Sequence, residues 1–214
     1  MRDFPINIGL NTVMKKLSGF TLFELLAVIA ITGVLIGIGM PALQQFIKNN
    51  RLIMIHNELV SALQVSRSSA IKGAGSACVC SSATASSASP SCSGSNSWEQ
   101  GWIAFIDTNT TATNTCVYDA TDGDILLKAW DGVPYGNQIT VRSASATVNA
   151  ADYVQFNSRG VPLSSTGASL QGMFKVCDDR GLSSDGVVLA RGIILSASGS
   201  VRMTRDTTQI VACL

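Results

Sequence analysis

A single carboxylate inside a long apolar run is the first feature with a chemical consequence. Glu24 lies within the run from Ser18 to Met40, four residues after Phe20, and Lys15 and Lys16 precede the run. An ionisable group in a bilayer costs a few kcal/mol on insertion scales, so by default it indicates a function. The alternative is a carboxylate that only favours the dipole of a helix N-terminus, an effect of about half a kcal/mol. Because that effect is smaller than the cost of burial, Glu24 is a candidate for pairing with a positive charge.

The cysteines are the second group that could do chemistry. The chain has six of them, all C-terminal to the apolar run: Cys78, Cys80, Cys92, Cys116, Cys177 and Cys213. An even number in an exported segment fits three disulfides, with fifteen possible connectivities that the sequence does not distinguish. We favour Cys177 with Cys213, which would tie the C-terminal segment to a strand. The other four would then pair among themselves and close a Ser-rich loop. A metal site using Cys78-x-Cys80 is the alternative, but its spacing differs from a zinc knuckle and no histidine is near.

Catalytic motifs are absent from the sequence. It contains no Gly-x-Ser-x-Gly, no His-Glu-x-x-His and no phosphate-binding loop, so we expect no enzyme activity, cofactor, metal or small-molecule substrate. Asp119, Asp122 and Asp124 resemble a short calcium loop but lack the terminal glutamate at the required spacing, which favours a polar turn. The single histidine, His56, has no partner set for catalysis and is expected at the surface or the edge of the core.

The apolar run must form the element that carries Glu24. No charge occurs from Leu25 to Ile47, which is long enough for a helix that spans a bilayer. The preceding lysines predict that the N-terminus stays cytoplasmic and that the remainder is exported. A secretory signal peptide would have a small-residue cleavage site after the run, whereas Met40-Pro41 follows here. We expect Pro41 to bend the helix, and Gly33-x-x-x-Gly37 fits a small-residue helix contact.

The helix should continue beyond the apolar run with one buried face. Apolar residues recur near helical spacing at Leu52, Ile55, Leu59, Leu63 and Ala70, and the segment from Lys72 to Gly75 has helix-ending residues. From Cys78 onward, short β-type runs alternate with turn residues, except for a Ser/Ala-rich loop over residues 81–97. The expected strands are 101–107, 125–130, 138–142, 153–157, 173–178, 187–196 and 200–204. One helix and about seven strands predict an α+β domain, in which Trp102 and Phe105 belong to the core and Asp107 with Asn109 shapes a turn.

The N-terminal motif resembles the signal of type IV prepilins and type II secretion pseudopilins. Its residues are KKLSGFTLFELL, with a basic leader, Gly19, Phe20 and then Glu24. The resemblance implies that prepilin peptidase cleaves between Gly19 and Phe20 and that the new Phe20 amine is N-methylated. It also implies that Glu24 pairs with the Phe20 ammonium of a neighbouring subunit during assembly. The leader of residues 1–19 is long for this family, and Met14 is an alternative start.

Further segments resemble the FimT/FimU/GspH branch of minor pilins. They are residues 49–52, 66–71, 98–107, 153–160 and 190–196. The resemblance implies a type IV pilin-like fold, with a long N-terminal helix packed on a C-terminal antiparallel β-sheet domain. The corresponding division is a cleaved leader (1–19), a transmembrane and assembly half of the helix (20–47), an amphipathic half (48–73) and a β-rich globular domain (74–214). It implies a structural protein without enzyme activity.

The resemblance leaves three functions open. The first is a minor pilin that primes or caps a type IV pilus, with other minor and major pilins, prepilin peptidase and the inner membrane as partners. It would be a single-pass inner-membrane protein with a periplasmic C-terminal domain before it enters the filament or its tip. The second is a DNA-binding minor pilin for natural transformation, with Arg191, Arg202 and Arg205 as candidate contacts. The third is a minor pseudopilin of type II secretion.

The charge of the chain gives DNA binding no general support. Cleavage would remove three of the 15 basic and one of the 14 acidic residues, which leaves a formal charge of −1 before the termini are counted. In the segment that corresponds to the Gly-Arg-x-Arg-type motif of the FimT branch, the first arginine is Ser200. The remaining arginines could engage phosphates, but with a shallow salt dependence and weak affinity.

Overall fold

The structure is a computed structural model that describes residues 19–108, 116–133, 138–143, 153–163, 168–184, 186–210 and 212–213. The chain divides into two compact units, one up to Gln44 and one from Gln45 onward. The predicted turn residue Asn109 and residues 1–18 of the predicted leader lie outside the described residues. The division of the chain proposed from the sequence stays a prediction.

Helix α1 (Leu22–Ser69) is the longest element, and a short π-helical segment (Ala70–Ala74) follows it. Gly73 has φ +104°, a conformation that glycine adopts without the steric cost of a side chain. The helical path therefore ends at the segment for which the sequence predicted helix-ending residues. Pro41 lies inside α1, and the bend expected there stays a prediction.

Eleven strands form two principal sheets and one small hairpin. The strands are β1 (Ser76–Ser81), β2 (Gly101–Asp107), β3 (Ile125–Asp131), β4 (Ile139–Ser143), β5 (Tyr153–Phe156), β6 (Pro162–Leu163), β7 (Gly172–Asp178), β8 (Ser183–Ser184), β9 (Val187–Val188), β10 (Arg191–Leu195) and β11 (Val201–Thr204). The first sheet has the order β3-β2-β1-β5-β6 and the second β11-β10-β7-β4, and all their pairings are antiparallel. Strands β8 and β9 pair separately. A last short helix, α2, covers Thr207–Ile210.

One apolar core joins the second half of α1 to one face of each principal sheet. Five helix residues expected on a buried face are at most 1% exposed: Leu52, Ile55, Leu59, Leu63 and Ala70. They belong to the same cluster as Trp102 of β2, Phe156 of β5, Phe174 of β7 and Ile193 of β10. Trp102 and Phe105 are both buried, as predicted, but Phe105 lies in a second cluster with Cys78 and Cys80. The α+β class and the pilin-like architecture predicted from the sequence are confirmed.

Two strand predictions need correction. Strand β1 was not predicted, although it is the central strand of its sheet, because its sequence Ser-Ala-Cys-Val-Cys-Ser has little β-branched or aromatic character. The expected strand over residues 187–196 is divided into β9 and β10. At the division, the N–H groups of Leu189 and Ala190 both donate to the carbonyl oxygen of Leu182 (3.0 and 3.3 Å), so they leave the sheet pairing.

Candidate functional site

The first unit, which extends to Gln44, has an exposed apolar surface. Phe20 and Phe23 are each 82% exposed, and the large apolar residues from Leu22 to Met40 are all more than half exposed. In the described part of the chain, one helix is long and apolar enough to cross a membrane, and none of its most apolar window is buried. Water does not stabilise such a surface, so lipid or other protein must cover it.

The start of α1 is capped by its own sequence. The Thr21 hydroxyl accepts a hydrogen bond from the Glu24 N–H (3.2 Å), and the Thr21 carbonyl accepts from Leu25 N–H (3.2 Å). Thr21-x-x-Glu24 has the residue pattern of a capping box, which fixes the first turn of a helix. Glu24 is therefore held in the first turn of α1. Among the described residues, its carboxylate has no hydrogen-bond or ion-pair partner.

Gly19 and Phe20 precede the helix in irregular, exposed backbone. A Cβ placed on Gly19 meets no atom of the described residues within 4 Å, and the same is true of Gly33, Gly37 and Gly39 within α1. The fold of the described residues thus gives no steric reason for glycine at these positions.

Three disulfides lie on the sheet faces that turn away from α1. The pairs are Cys78–Cys116, Cys80–Cys92 and Cys177–Cys213. Cys78 and Cys80 alternate with the core residues Ala77 and Val79 along β1, so both cysteines point to the outer face. Cys80–Cys92 closes the Ser-rich loop, and Cys177–Cys213 holds the C-terminal segment. With all six cysteines paired, Cys78-x-Cys80 is unavailable to a metal ion.

The C-terminal segment covers the outer face of the second sheet. Ile210 is fully buried, and it forms a cluster with Cys177 and Ala190, against which Met173, Leu182 and Cys213 pack. The Lys175 ammonium donates to the carbonyl oxygen of Ala212 (3.0 Å), which adds a polar contact. The Cys177–Cys213 disulfide therefore links the C-terminal segment to a sheet against which it also packs.

The three candidate DNA contacts occupy different environments. Arg202 and Arg205 are exposed, whereas Arg191 is only 8% exposed and its Nη1 donates to the carbonyl oxygens of Val188, Leu189 and Ala190 (3.5, 3.2 and 3.5 Å). Arg202 alternates with Val201 and Met203 along edge strand β11. Because Val201 packs on the core, Arg202 points to the opposite face of the sheet. The structure thus separates Arg202 from Arg191 and Arg205, which line the same cavity.

His56 is buried beside two of these arginines, more deeply than the surface or core-edge position expected. It is 2% exposed, and among the described residues its Nε2 atom has no hydrogen-bond partner. Burial lowers the pKa of His56 below its ordinary value, and the charges of Arg191 and Arg205 lower the pKa further. Hydrogen bonds to Asn57 and to the backbone of Gly192 act in the opposite direction. The ring is therefore held in its neutral form near neutral pH.

The acidic segment around Asp119 forms the polar turn that was predicted. Asp119 Oδ1 accepts from the Thr121 N–H and hydroxyl (2.8 and 2.7 Å), which lowers the pKa of Asp119. Asp124 accepts from the backbone N–H groups of Thr108 and Asp119 (both 3.0 Å). The carboxylates of Asp119 and Asp124 therefore accept the backbone N–H hydrogen bonds of this turn.

Several anchoring side chains gave no signal in the sequence. Arg67 of α1 donates to the carbonyl oxygens of Gly160 (3.0 Å) and Ser198 (3.1 Å), which fixes two turns on the helix. Gly199 follows, with φ +79°, and a Cβ there would overlap the Gly160 carbonyl oxygen. The two hydrogen bonds of Arg67 join residues more than 90 positions apart, so no local pattern predicts them.

One ion pair and two hydrogen bonds join α1 to the turn after β7. Arg180 pairs with buried Asp178 (2.5 Å) and also donates to Gln45 Oε1 (2.7 Å) and Asn49 Oδ1 (3.0 Å). The more exposed Lys48–Asp179 pair (2.7 Å) lies beside it and lowers the pKa of Asp179.

Comparison with known proteins gives two family matches. The family described as type II transport protein GspH matches residues 56–207, more than half of the chain. The prokaryotic N-terminal methylation motif matches residues 14–40, which include Gly19, Phe20 and Glu24. The apolar helix and this motif together are consistent with membrane anchoring. No curated protein matches the chain.

Two solved structures are similar to the chain, both of the type IV minor pilin FimU of Pseudomonas aeruginosa in different crystal forms. Their identities are 16% and 18%, with TM-scores of 0.45 and 0.48. The matches cover 71% and 74% of this chain and 90% and 92% of those chains. At these values the likeness adds nothing to the assignment, which rests on the family matches. The chain therefore belongs to the GspH family of minor pilins and pseudopilins, whose members are structural subunits that assemble with other pilins after processing by prepilin peptidase.

Proposed function

We propose that the protein is a minor pilin that is cleaved between Gly19 and Phe20 and then helps to prime or cap a type IV pilus through the first half of α1. The observation that carries this proposal is the uncovered apolar surface of that half, which holds a single unpartnered carboxylate, Glu24. In the membrane, lipid covers the surface; in a filament, the helices of neighbouring subunits cover it.

The charge on Glu24 has a complement in the processed chain. Cleavage before Phe20 creates an α-amine, which N-methylation leaves able to carry a positive charge. The ammonium of one subunit and the Glu24 carboxylate of the next then form an ion pair, and each offsets the cost of placing the other in an apolar medium. The capping of the first turn does not require a charge on the Glu24 side chain, whereas this intermolecular ion pair does.

The glycines support the same interpretation. Nothing in the described residues prevents a side chain at Gly19, so we attribute the glycine there to recognition by the peptidase. A Cβ at Gly33 or Gly37 would meet no atom of the described residues within 4 Å, and small residues at this spacing allow a neighbouring helix to approach closely.

The test compares processing with assembly in cells. Gly19→Leu should leave the leader attached, visible as an uncut band. Glu24→Gln, which removes the charge but keeps the shape, should be cleaved and methylated normally, as mass spectrometry of the Phe20 N-terminus would show. It should nevertheless be lost from sheared filaments, whereas Glu24→Asp should retain part of the incorporation. Normal incorporation of Glu24→Gln would refute the ion pair.

The same fractionation separates the pilus from type II secretion. A pilus subunit should be recovered with sheared surface filaments, and deletion should reduce piliation. A pseudopilin should stay with the cell envelope, and its deletion should block the export of secreted enzymes. The family description favours neither outcome by itself, because pilins and pseudopilins share the N-terminal helix.

DNA binding is the second candidate function, supported by the exposed arginines Arg202 and Arg205 at the end of an edge strand. Their side chains alternate along the chain, so a duplex would have to contact the edge of the sheet to reach both. The test is a gel shift with double-stranded DNA at low and moderate salt. Arg191→Ala/Arg202→Ala/Arg205→Ala should abolish salt-sensitive binding if these arginines contact phosphates.

A further inference from the structure

Arg191 is a buried cation without a carboxylate partner. It is 8% exposed, and the ion pairs of the described residues do not include it. Its Nη1 donates to three backbone carbonyls, but its Nε has no hydrogen-bond partner in the part of the chain that the structure describes. A buried charge is costly unless it is paired, so this guanidinium lacks an anion that would offset the cost.

The unpartnered groups line one cavity. It has a volume of about 440 Å³, and its walls include Arg191, Arg205 and His56. His56 Nε2 is a second buried polar atom without a partner. Two apolar side chains, Ile53 at 37% and Met203 at 64% exposure, also line the cavity. The cavity therefore combines positive charge and unused hydrogen-bonding capacity with an exposed apolar rim.

The acidic groups near the cavity are already engaged. Asp178, whose charge acts on Arg191, is paired with Arg180. Asp206, which follows Arg205, accepts from the Thr208 N–H (2.9 Å) and hydroxyl (2.7 Å). Burial lowers the pKa of Arg191, and the charges of Arg205 and Arg180 lower it further, whereas the charge of Asp178 raises it. The charges of Arg205 and Arg180 favour an anion beside Arg191.

We propose that this cavity binds one acidic side chain, an aspartate or glutamate of a neighbouring pilin subunit, through the guanidinium groups of Arg191 and Arg205, beside the ring of His56. The assignment to a neighbouring subunit rests on the proposed function. It is supported by the exposed apolar rim of Ile53 and Met203, which suits the methylene groups of an acidic side chain and which a neighbouring subunit would cover.

The inferred contact shares Arg205 with the candidate DNA site but does not include Arg202. Arg202 points to the opposite face of the sheet, and a cavity of this volume admits a side chain but not a duplex. A charge-assisted hydrogen bond from Arg205 should contribute about tenfold to the affinity for a carboxylate. Arg202 should contribute nothing.

The first experiment uses the full chain in detergent micelles, with isotope-labelled histidine. Because His56 is the only histidine, its ring signals in NMR spectra are unambiguous. The probe is N-acetylglutamate with its α-carboxyl group amidated, abbreviated N-acetylglutamate, so that the side chain carries its only carboxylate. N-acetylglutamine amidated in the same way, at equal ionic strength, is the matched neutral control. Saturable shifts with the acid alone, together with a rise in the pKa of His56, would support the site, because a bound anion offsets the arginine charges.

Two exposed arginines provide matched variants that leave the core intact. Arg205→Gln should weaken the N-acetylglutamate response about tenfold. Arg202→Gln should leave it unchanged. Equal responses to acid and amide, a response reproduced by sodium chloride, or equal loss in both variants would overturn the site. A response to double-stranded DNA without one to N-acetylglutamate would also overturn it.

The second experiment measures incorporation of the same variants into filaments, beside Glu24→Gln. Reduced incorporation of Arg205→Gln, but not of Arg202→Gln, would support a neighbouring subunit as the source of the carboxylate. Unchanged incorporation of Arg205→Gln with loss of Glu24→Gln would overturn that assignment while the proposed function stands. Normal incorporation of Glu24→Gln would count against the proposed ion pair, and the NMR titration would still decide whether the cavity binds a carboxylate.

Discussion

Removal of the Cys177–Cys213 disulfide should destabilise the protein more than removal of Cys80–Cys92. The first pair joins residues 36 positions apart and the second residues 12 apart. If a disulfide acts mainly by restricting the unfolded chain, the loop lengths correspond to about 3.8 and about 2.8 kcal/mol. The C-terminal pair has a further role, since it holds the segment that buries Ile210 against the sheet.

The expected results can be measured on the full chain in detergent. For a folded unit of this size, each kcal/mol lowers Tm by about 2–4 °C. Cys177→Ala/Cys213→Ala should therefore lower Tm by about 8–15 °C, and Cys80→Ala/Cys92→Ala by about 6–11 °C. Circular dichroism follows both transitions. Limited proteolysis should also show early cleavage near the C-terminus in the first variant alone.

Two outcomes would refute this reasoning. A larger loss of Tm in Cys80→Ala/Cys92→Ala would contradict the dependence on loop length. A C-terminal segment that stays protected from protease in Cys177→Ala/Cys213→Ala would show that packing alone holds it. Reduction of the wild-type protein with dithiothreitol is the control, because it should cost at least as much as either variant.

Three further predictions concern particular side chains of the folded unit. Gly199→Ala should destabilise the protein by several kcal/mol in urea denaturation, because its Cβ would overlap a backbone carbonyl oxygen. The control Gly181→Ala, at a similar positive φ in open space, should cost only about 1–2 kcal/mol. Equal costs for the two variants would contradict the overlap. Arg180→Met leaves the buried carboxylate of Asp178 unpaired and should lower the free energy of unfolding by about 3 kcal/mol. Lys48→Met, in the more exposed pair, should lower it by less than about 1 kcal/mol. A reversed order of the denaturation midpoints would contradict this prediction. The pKa of His56 is lower in the folded state, so the unfolded state binds more protons below pH 6.5. The free energy of unfolding should therefore fall as pH decreases from 6.5 through the folded pKa. The variant His56→Gln should lack this part of the pH dependence.

The sequence predicted well wherever a local pattern sufficed. The buried face of α1 followed from residues such as Leu52 and Leu63, since a helix brings residues at that spacing to one side. Strand β2 has the predicted bounds, because an apolar run between turn residues leaves little choice. The sequence failed at β1, where pairing with neighbours on both sides outweighs weak strand propensity.

The candidate sites divide in the same way. The motif around Gly19 and Glu24 is a contiguous sequence that a peptidase can read in irregular backbone, so the sequence alone carries it. The cavity around His56 and Arg191 could not be predicted, because α1 and β10 supply its walls from positions 135 residues apart, which only the packing of helix on sheet brings together.

The sequence by itself determined the long apolar helix, its single carboxylate and the family to which the chain belongs, because each depends on neighbouring residues. The tertiary structure alone decided which cysteines pair, which arginines reach solvent and which remain buried without an anion. Those properties depend on strand register and on which face of a sheet the core covers, and a shift of one residue in register would exchange the two faces.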